Sequence, residues 1–97
     1  MNLEILNTIT EKLLKPKYPW IEKFEWVIWD GEEGRVNYRL EIKAAASIWK
    51  KGILEIIQYE TKVEEDMKSL FKMLSPEPNE KFGSVSINFL KTNFILF

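Results

Sequence analysis

The stretch FEWVIWDGEEGRVNYRLEI, residues 24–42, predicts two β-strands joined by a turn. Its second half alternates apolar and polar residues, and the alternation continues to residue 44, which is typical of a strand with one buried face. The DGEEG segment between the halves carries acidic and glycine residues that favour turns. We therefore predict a β-hairpin with strands over residues 20–29 and 35–43.

Charge pairing predicts the register of this hairpin. The register that we expect places Trp29 opposite Arg35. Across the polar face it pairs opposite charges, namely Glu25 with Arg39 and Lys23 with Glu41. A shift of two residues in either direction places like charges opposite each other, which is unfavourable.

Two tryptophans of the first strand are predicted to face opposite sides of the sheet. Trp26 lies on the apolar face with Phe24 and Tyr38, so we expect it to be buried. Trp29 lies on the polar face beside Arg35, where its ring can stack against the guanidinium group. We therefore expect Trp29 to be exposed in the isolated chain and available to an interface.

The residues before the hairpin predict a helix. Residues 2–15 carry apolar side chains at helical spacing, and Asn2 is a suitable N-cap. Pro16 and Pro19 are expected to end this helix, because proline is disfavoured inside helices and favours extended backbone at the residue before it. The predicted apolar stripe consists of Leu3, Leu6, Ile9 or Thr10, and Leu13.

Residues 44–74 admit two interpretations. A Lys-Lys-Gly trio resembling a turn, together with a capping box of Thr61 and Glu64, favours a third strand over residues 53–59 followed by a helix over residues 62–74. One long helix also fits the apolar spacing, because short apolar runs suit either structure.

The C-terminal part predicts more strands. Residues 84–90 alternate between apolar and polar side chains, and residues 94–97 suggest a last short strand. We therefore expect a single α+β domain over residues 1–97, with an antiparallel sheet of four or five strands and two helices on one face.

The composition excludes several functions. The chain has no cysteine and no histidine, which excludes disulfides, thiol catalysis, Cys/His zinc sites and the usual catalytic triads. A net charge of −1 gives no field that attracts nucleic acid or an anionic membrane. The first residues lack the basic and then apolar order of a secretory signal, and no apolar run reaches the length of a membrane span, so we expect a cytoplasmic location. We expect no catalytic, cofactor-binding or metal-ligating residue.

Three features of the sequence are candidate sites. Asp30, Glu32 and Glu33 in the hairpin turn have the oxygen ligands of a hard-metal site, but their spacing matches no EF-hand loop and a solvated turn accounts for them. Four lysines near aromatic residues, namely Lys12, Lys15, Lys17 and Lys23, suggest a weak nucleic-acid binder. A third alternative is a small-molecule module with a pocket beside Trp20 or Trp49.

The strongest indication of function is the apolar segment at residues 94–97. Four large apolar side chains in succession need cover from their own domain or from another chain. We therefore expect an interface that contains Trp29 and the segment Phe94, Ile95, Leu96 and Phe97.

Residues 53–97 resemble the small dimerising subunit of the KEOPS tRNA-modification complex. The resemblance rests on Thr61 in the helix start and on the Leu-Ser-Pro-Glu run at residues 74–77, in a strand–helix–hairpin order. This chain lacks the long helix that follows the hairpin in that family, and its N-terminal helix and hairpin are not expected there. The resemblance implies a non-catalytic role in dimerising and bridging within a tRNA-modifying assembly. We thus expect a non-catalytic interaction subunit, dimeric or in a hetero-complex.

Overall fold

The computed structural model describes residues 2–74 and 81–90. Over these residues the chain forms three α-helices and three β-strands in the order α1-β1-β2-α2-α3-β3. Their bounds are α1 Leu3–Lys17, β1 Ile21–Asp30, β2 Arg35–Ala44, α2 Ala46–Trp49, α3 Ile53–Met73 and β3 Lys81–Phe89, with a 3-10 turn at Glu32–Gly34. Within the same ranges, no helix is long and apolar enough to cross a membrane.

The strands form one mixed sheet in the order β1-β2-β3. β1 and β2 are antiparallel, whereas β2 and β3 are parallel. The chain therefore has the expected α+β class, but the expectation of an antiparallel sheet with four or five strands is wrong for the part of the chain that is described. The strand predicted over residues 94–97 lies outside the described residues.

The sheet differs because residues 53–59 are helical. They form the first turns of α3, a single helix of 21 residues, so the long-helix interpretation is the better one. The expected capping box is absent, since the Thr61 hydroxyl donates instead to the Ile57 carbonyl at 2.9 Å. At about 1.5 Å per residue α3 is about 31 Å long, close to the length of a ten-residue strand. It therefore returns the chain along the sheet, and β3 enters parallel to β2.

The hairpin register also differs from the predicted one. Trp29 pairs with Asn37 rather than with Arg35, a shift of two residues. The like-charged pairs that the shift creates are Glu25 with Glu41 and Lys23 with Lys43.

The turn explains this register. Glu33 and Gly34 both adopt positive φ angles, 59° and 72°, so the chain reverses tightly over the 3-10 turn. The Gly31 amide closes the turn by donating to the Arg35 carbonyl at 2.7 Å. Pairing therefore starts at Asp30 and Val36. On a solvated face, like charges cost only tenths of a kcal/mol to about 1 kcal/mol, which is too little to override the turn.

Trp26 shows where the core lies. It is 4% exposed, as predicted, and its indole N–H donates to the Thr10 hydroxyl of α1 at 3.0 Å. Its ring also packs at 5.5 Å from Phe71 of α3, and Phe71 lies 4.9 Å from Tyr38 of β2. α1 and α3 therefore pack on the same face of the sheet, as expected from the sequence.

The helix α1 begins as predicted, but the side of the helix that is buried is rotated relative to the predicted apolar stripe. The Asn2 side chain accepts from the amides of Glu4 and Ile5, which confirms the N-cap. The buried residues are Leu6, Thr10 and Leu14, whereas the predicted Leu3 and Leu13 are exposed. Thr10 can be buried because its hydroxyl donates to the Leu6 carbonyl and accepts from Trp26.

Candidate interaction surfaces

The first half of α3 exposes large apolar side chains. Ile53, Leu54 and Ile57 are 70%, 74% and 51% exposed, and we call this group the α3 patch. Residues spaced by three and four positions are neighbours on a helix, so the three side chains form one continuous surface. A different side of the helix is buried, through Ile56, Val63, Met67 and Leu70.

Charges flank the α3 patch asymmetrically. Lys50 and Lys51 precede the helix, and both are exposed. Glu60 and Glu64 follow the patch and lie beside Ile57 at a shallow depression. Burial, and then the neighbouring Glu64 carboxylate, raise the pKa of Glu60. The patch therefore has a basic N-terminal border and an acidic C-terminal border.

A second surface is a cleft between the end of α1, the start of β1 and the middle of α3. Its volume is about 450 Å³, and we call it the Trp20 cleft. The residues that line it are Lys17, Tyr18, Trp20, Tyr59, Lys62, Glu65 and Asp66. It lies beside Trp20, which is one of the two places where the sequence suggested a pocket.

Asp66 organises one wall of the cleft. Its two carboxylate oxygens accept from Lys17 Nζ at 3.0 Å and from the Tyr18 hydroxyl at 2.6 Å. Lys17 is also within ion-pair distance of the second oxygen, at 2.9 Å. Burial and the bonded Asp66 carboxylate raise the pKa of Tyr18 to about 12, so the phenol stays protonated and keeps its donor role. The hydrogen bond from Lys17 to Asp66 raises the pKa of Lys17.

Aromatic rings form the floor of the cleft. The Trp20 and Tyr59 rings lie 5.1 Å apart at an angle of 58°, and both side chains are half-buried. Tyr18 and Phe89 pack against Trp20 at 5.5 and 5.6 Å. The indole is thus held by three rings and leaves part of its surface open to the cleft.

Trp29 lies on the uncovered face of the sheet. It is 39% exposed, in agreement with the prediction that it faces away from Trp26. The guanidinium carbon above its ring belongs to Arg39, at 5.2 Å, and not to Arg35 as expected. The register shift brings Arg39 to the diagonal position across the strands, while Arg35 lies 3.7 Å from Glu33 in the turn. The other predicted interface residues, Phe94 to Phe97, lie outside the described residues.

The remaining predicted sites receive no support as binding sites. No group of three or more Asp and Glu residues that could hold a metal ion occurs in the described ranges, which include the hairpin turn. Of the four lysines, Lys15 pairs with Glu11 at 2.7 Å and Lys17 pairs with Asp66. Lys15 and Lys23 line a depression that also contains Glu11 and Glu22, so acidic groups balance the positive charge there.

Sequence reasoning missed the α3 patch and most of the Trp20 cleft. Part of the signal for the patch was present, since the long-helix interpretation of residues 44–74 leaves Leu54 and Ile57 off the apolar stripe, although it places Ile53 on that stripe. The role of Asp66 had no local signal, because its partner Tyr18 is 48 positions away in the chain.

No protein-family model, curated protein or solved structure matches this chain.

Proposed function

We propose that this protein is a non-catalytic interaction module that forms a homodimer through the α3 patch. The observation that carries the proposal is the exposure of three contiguous apolar side chains, each more than half exposed, on one helix. Contiguous exposed apolar surface with a polar rim is the usual mark of a protein contact.

A second copy of the chain suits the α3 patch because the basic border and the acidic border of the patch have complementary charges. In a two-fold dimer the patch of each copy meets the patch of the other, and we propose that the two α3 helices cross antiparallel. The lysines at one border then approach the carboxylates at the opposite border of the partner. Glu60 in particular gains a cation that favours its charged form.

The expected association is weak. Three apolar side chains are far fewer than the roughly 20–30 residues that each side of a standard interface contributes. We expect a dissociation constant on the order of 10–100 µM, because the gain from burial must offset the cost of association.

The test is sedimentation equilibrium of the full chain between low micromolar and millimolar concentrations. A reversible monomer–dimer equilibrium is expected. The Lys51→Glu variant should dimerise more weakly. Adding Glu60→Lys to that variant should restore dimerisation, because the double variant recreates the opposite-charge contact between copies. A chain that stays monomeric at 1 mM contradicts the proposal. Dimerisation that appears only after deletion of residues 91–97 also contradicts it, since the chain's own apolar segment would then be the occupant of the patch.

A role in a KEOPS-like assembly and a cytoplasmic location are also proposals. The resemblance to the KEOPS subunit implies the same dimerising, non-catalytic role, although residues 53–59 are helical where that resemblance includes a strand. The cytoplasmic location likewise rests on the sequence.

A further inference from the structure

The Trp20 cleft carries two charges that form no ion pair within the described part of the chain. Asp66 is occupied by Lys17 and Tyr18, but Lys62 and Glu65 have no ion pair among the described residues. These two residues are three positions apart on α3, so their side chains project from the same side of the helix. Counting only partners within residues 2–74 and 81–90, the cleft thus offers one free cation and one free carboxylate on the wall next to its aromatic floor.

The balance of charge in the cleft limits the kind of ligand. Its lining has two ammonium groups, those of Lys17 and Lys62, and two carboxylates, those of Glu65 and Asp66. A ligand with a net charge would therefore meet no net attraction in the cleft. A ligand with both a positive and a negative group would pair with Lys62 and Glu65 at once.

The aromatic floor of the Trp20 cleft favours a ligand that contains an aromatic ring. Trp20 and Tyr59 present ring surface at a tilt of 58°, which allows a flat ring to stack on one and to meet the edge of the other. A volume of about 450 Å³ falls within the range of about 300–1,000 Å³ that is usual for small-molecule sites.

We propose that the Trp20 cleft binds a free aromatic amino acid, with its carboxylate at Lys62, its ammonium group at Glu65 and its ring against Trp20 and Tyr59. The Asp66 contacts with Lys17 and Tyr18 hold the adjoining wall in place, so that little ordering is needed on binding. This proposal is independent of dimerisation, because it uses a different part of α3.

Three probes with the same ring separate the contributions of the two head groups. L-Tryptophan has both charges, tryptamine lacks the carboxylate, and indole-3-propionate lacks the ammonium group. Each is titrated into the isotope-labelled full chain, and the indole N–H signal of Trp20 and the amide signals of Tyr59 and Lys62 are followed by NMR. We expect L-tryptophan to bind with a dissociation constant below about 1 mM, and the other two probes to bind at least tenfold more weakly.

Variants on α3 test the two pairings. Lys62→Gln should weaken the binding of L-tryptophan at least tenfold and leave the binding of tryptamine unchanged. Glu65→Gln should do the reverse, weakening L-tryptophan and leaving indole-3-propionate unchanged. Lys72→Gln, at an exposed lysine of the same helix outside the cleft, is the matched control and should bind like the unmodified chain. All three positions are on the surface, so the fold is retained and circular dichroism verifies it.

Several results would overturn the proposal. No shift of the cleft signals with 5 mM L-tryptophan excludes the site. Equal affinity for the three probes means that the ring alone is bound and the head group is not recognised. Tighter binding of tryptamine or of indole-3-propionate than of L-tryptophan assigns the cleft to a simple cation or anion instead.

Discussion

Replacing Leu54 with glutamate should dissociate the dimer without unfolding the monomer. Leu54 is 74% exposed, so the change removes little packing within one chain and should alter the free energy of unfolding by no more than about 0.5 kcal/mol. Full burial of a leucine side chain is worth about 1.5–3 kcal/mol, and burial of the exposed three-quarters is worth about 1–2 kcal/mol. A two-fold dimer uses this contact twice, which gives about 2–4 kcal/mol.

This energy sets the size of the expected effect. At 1.4 kcal/mol per factor of ten, the dissociation constant should rise about 30- to 700-fold. The buried carboxylate adds a desolvation cost, so the actual rise should lie in the upper part of this range. For a dimer with a dissociation constant on the order of 10–100 µM, the constant of the variant should lie between about 0.3 mM and about 70 mM, so the variant should be mostly monomeric below about 100 µM.

The assay is sedimentation equilibrium with a matched variant at the other end of the same helix. Met73 is 81% exposed but lies outside the α3 patch, so Met73→Glu introduces the same charge without touching the interface. We expect Met73→Glu to dimerise like the unmodified chain. Equal losses in Leu54→Glu and Met73→Glu would show non-specific apolar association. An unchanged dissociation constant in Leu54→Glu would show that the interface lies elsewhere.

Four further predictions concern the stability of the fold and the titration of Tyr18. Trp26→Ala should lower the free energy of unfolding in urea by about 3–5 kcal/mol, because it leaves a cavity in the core and removes a buried hydrogen bond. Lys23→Glu should raise the free energy of unfolding by roughly 0.2–1 kcal/mol, because it faces Lys43, and a loss instead would support the register predicted from charge pairing. Since the pKa of Tyr18 is raised from 10.0 to about 12, its contribution to stability should be complete below pH 10 and disappear as the pH rises through 12. Asp66→Asn should lower the pKa of Tyr18, and ultraviolet titration of the tyrosinate signal would reveal an unchanged value if the hydrogen bond were unimportant.

The parts of the fold that follow from the sequence are those set by side-chain periodicity. Trp26 is buried and Trp29 is exposed because alternation along a strand assigns them to opposite faces. A register shift of two residues leaves each side chain on the same face of the sheet. The predicted faces of Trp26 and Trp29 are therefore confirmed, although the predicted pairing of the strands is wrong. The pairing depended on the backbone of the turn, and the positive φ angles of Glu33 and Gly34 outweigh exposed charge pairs.

Residues 53–59 show why the topology could not be predicted. The segment ILEIIQY has the β-branched residues of a strand and also the spacing of a helix. The segment is helical in the structure, where it connects two parallel strands, and this position in the fold is not visible in the local sequence. Reading it as a strand placed its apolar side chains inside the fold. The helix leaves Ile53, Leu54 and Ile57 outside, so the wrong assignment also concealed the α3 patch.

The aromatic floor of the Trp20 cleft and the α3 patch lie on different sides of α3, and this separation gives each experiment an internal control. Each residue of an α-helix turns the side-chain direction by about 100°, so Ile57 and Tyr59 point about 160° apart. A ligand stacked on Tyr59 therefore cannot touch the α3 patch from within the Trp20 cleft. Leu54→Glu should leave binding of L-tryptophan unchanged, and Lys62→Gln should leave dimerisation unchanged. If one substitution altered both properties, the two surfaces would be coupled through a movement of α3, and neither effect could be assigned to a local contact.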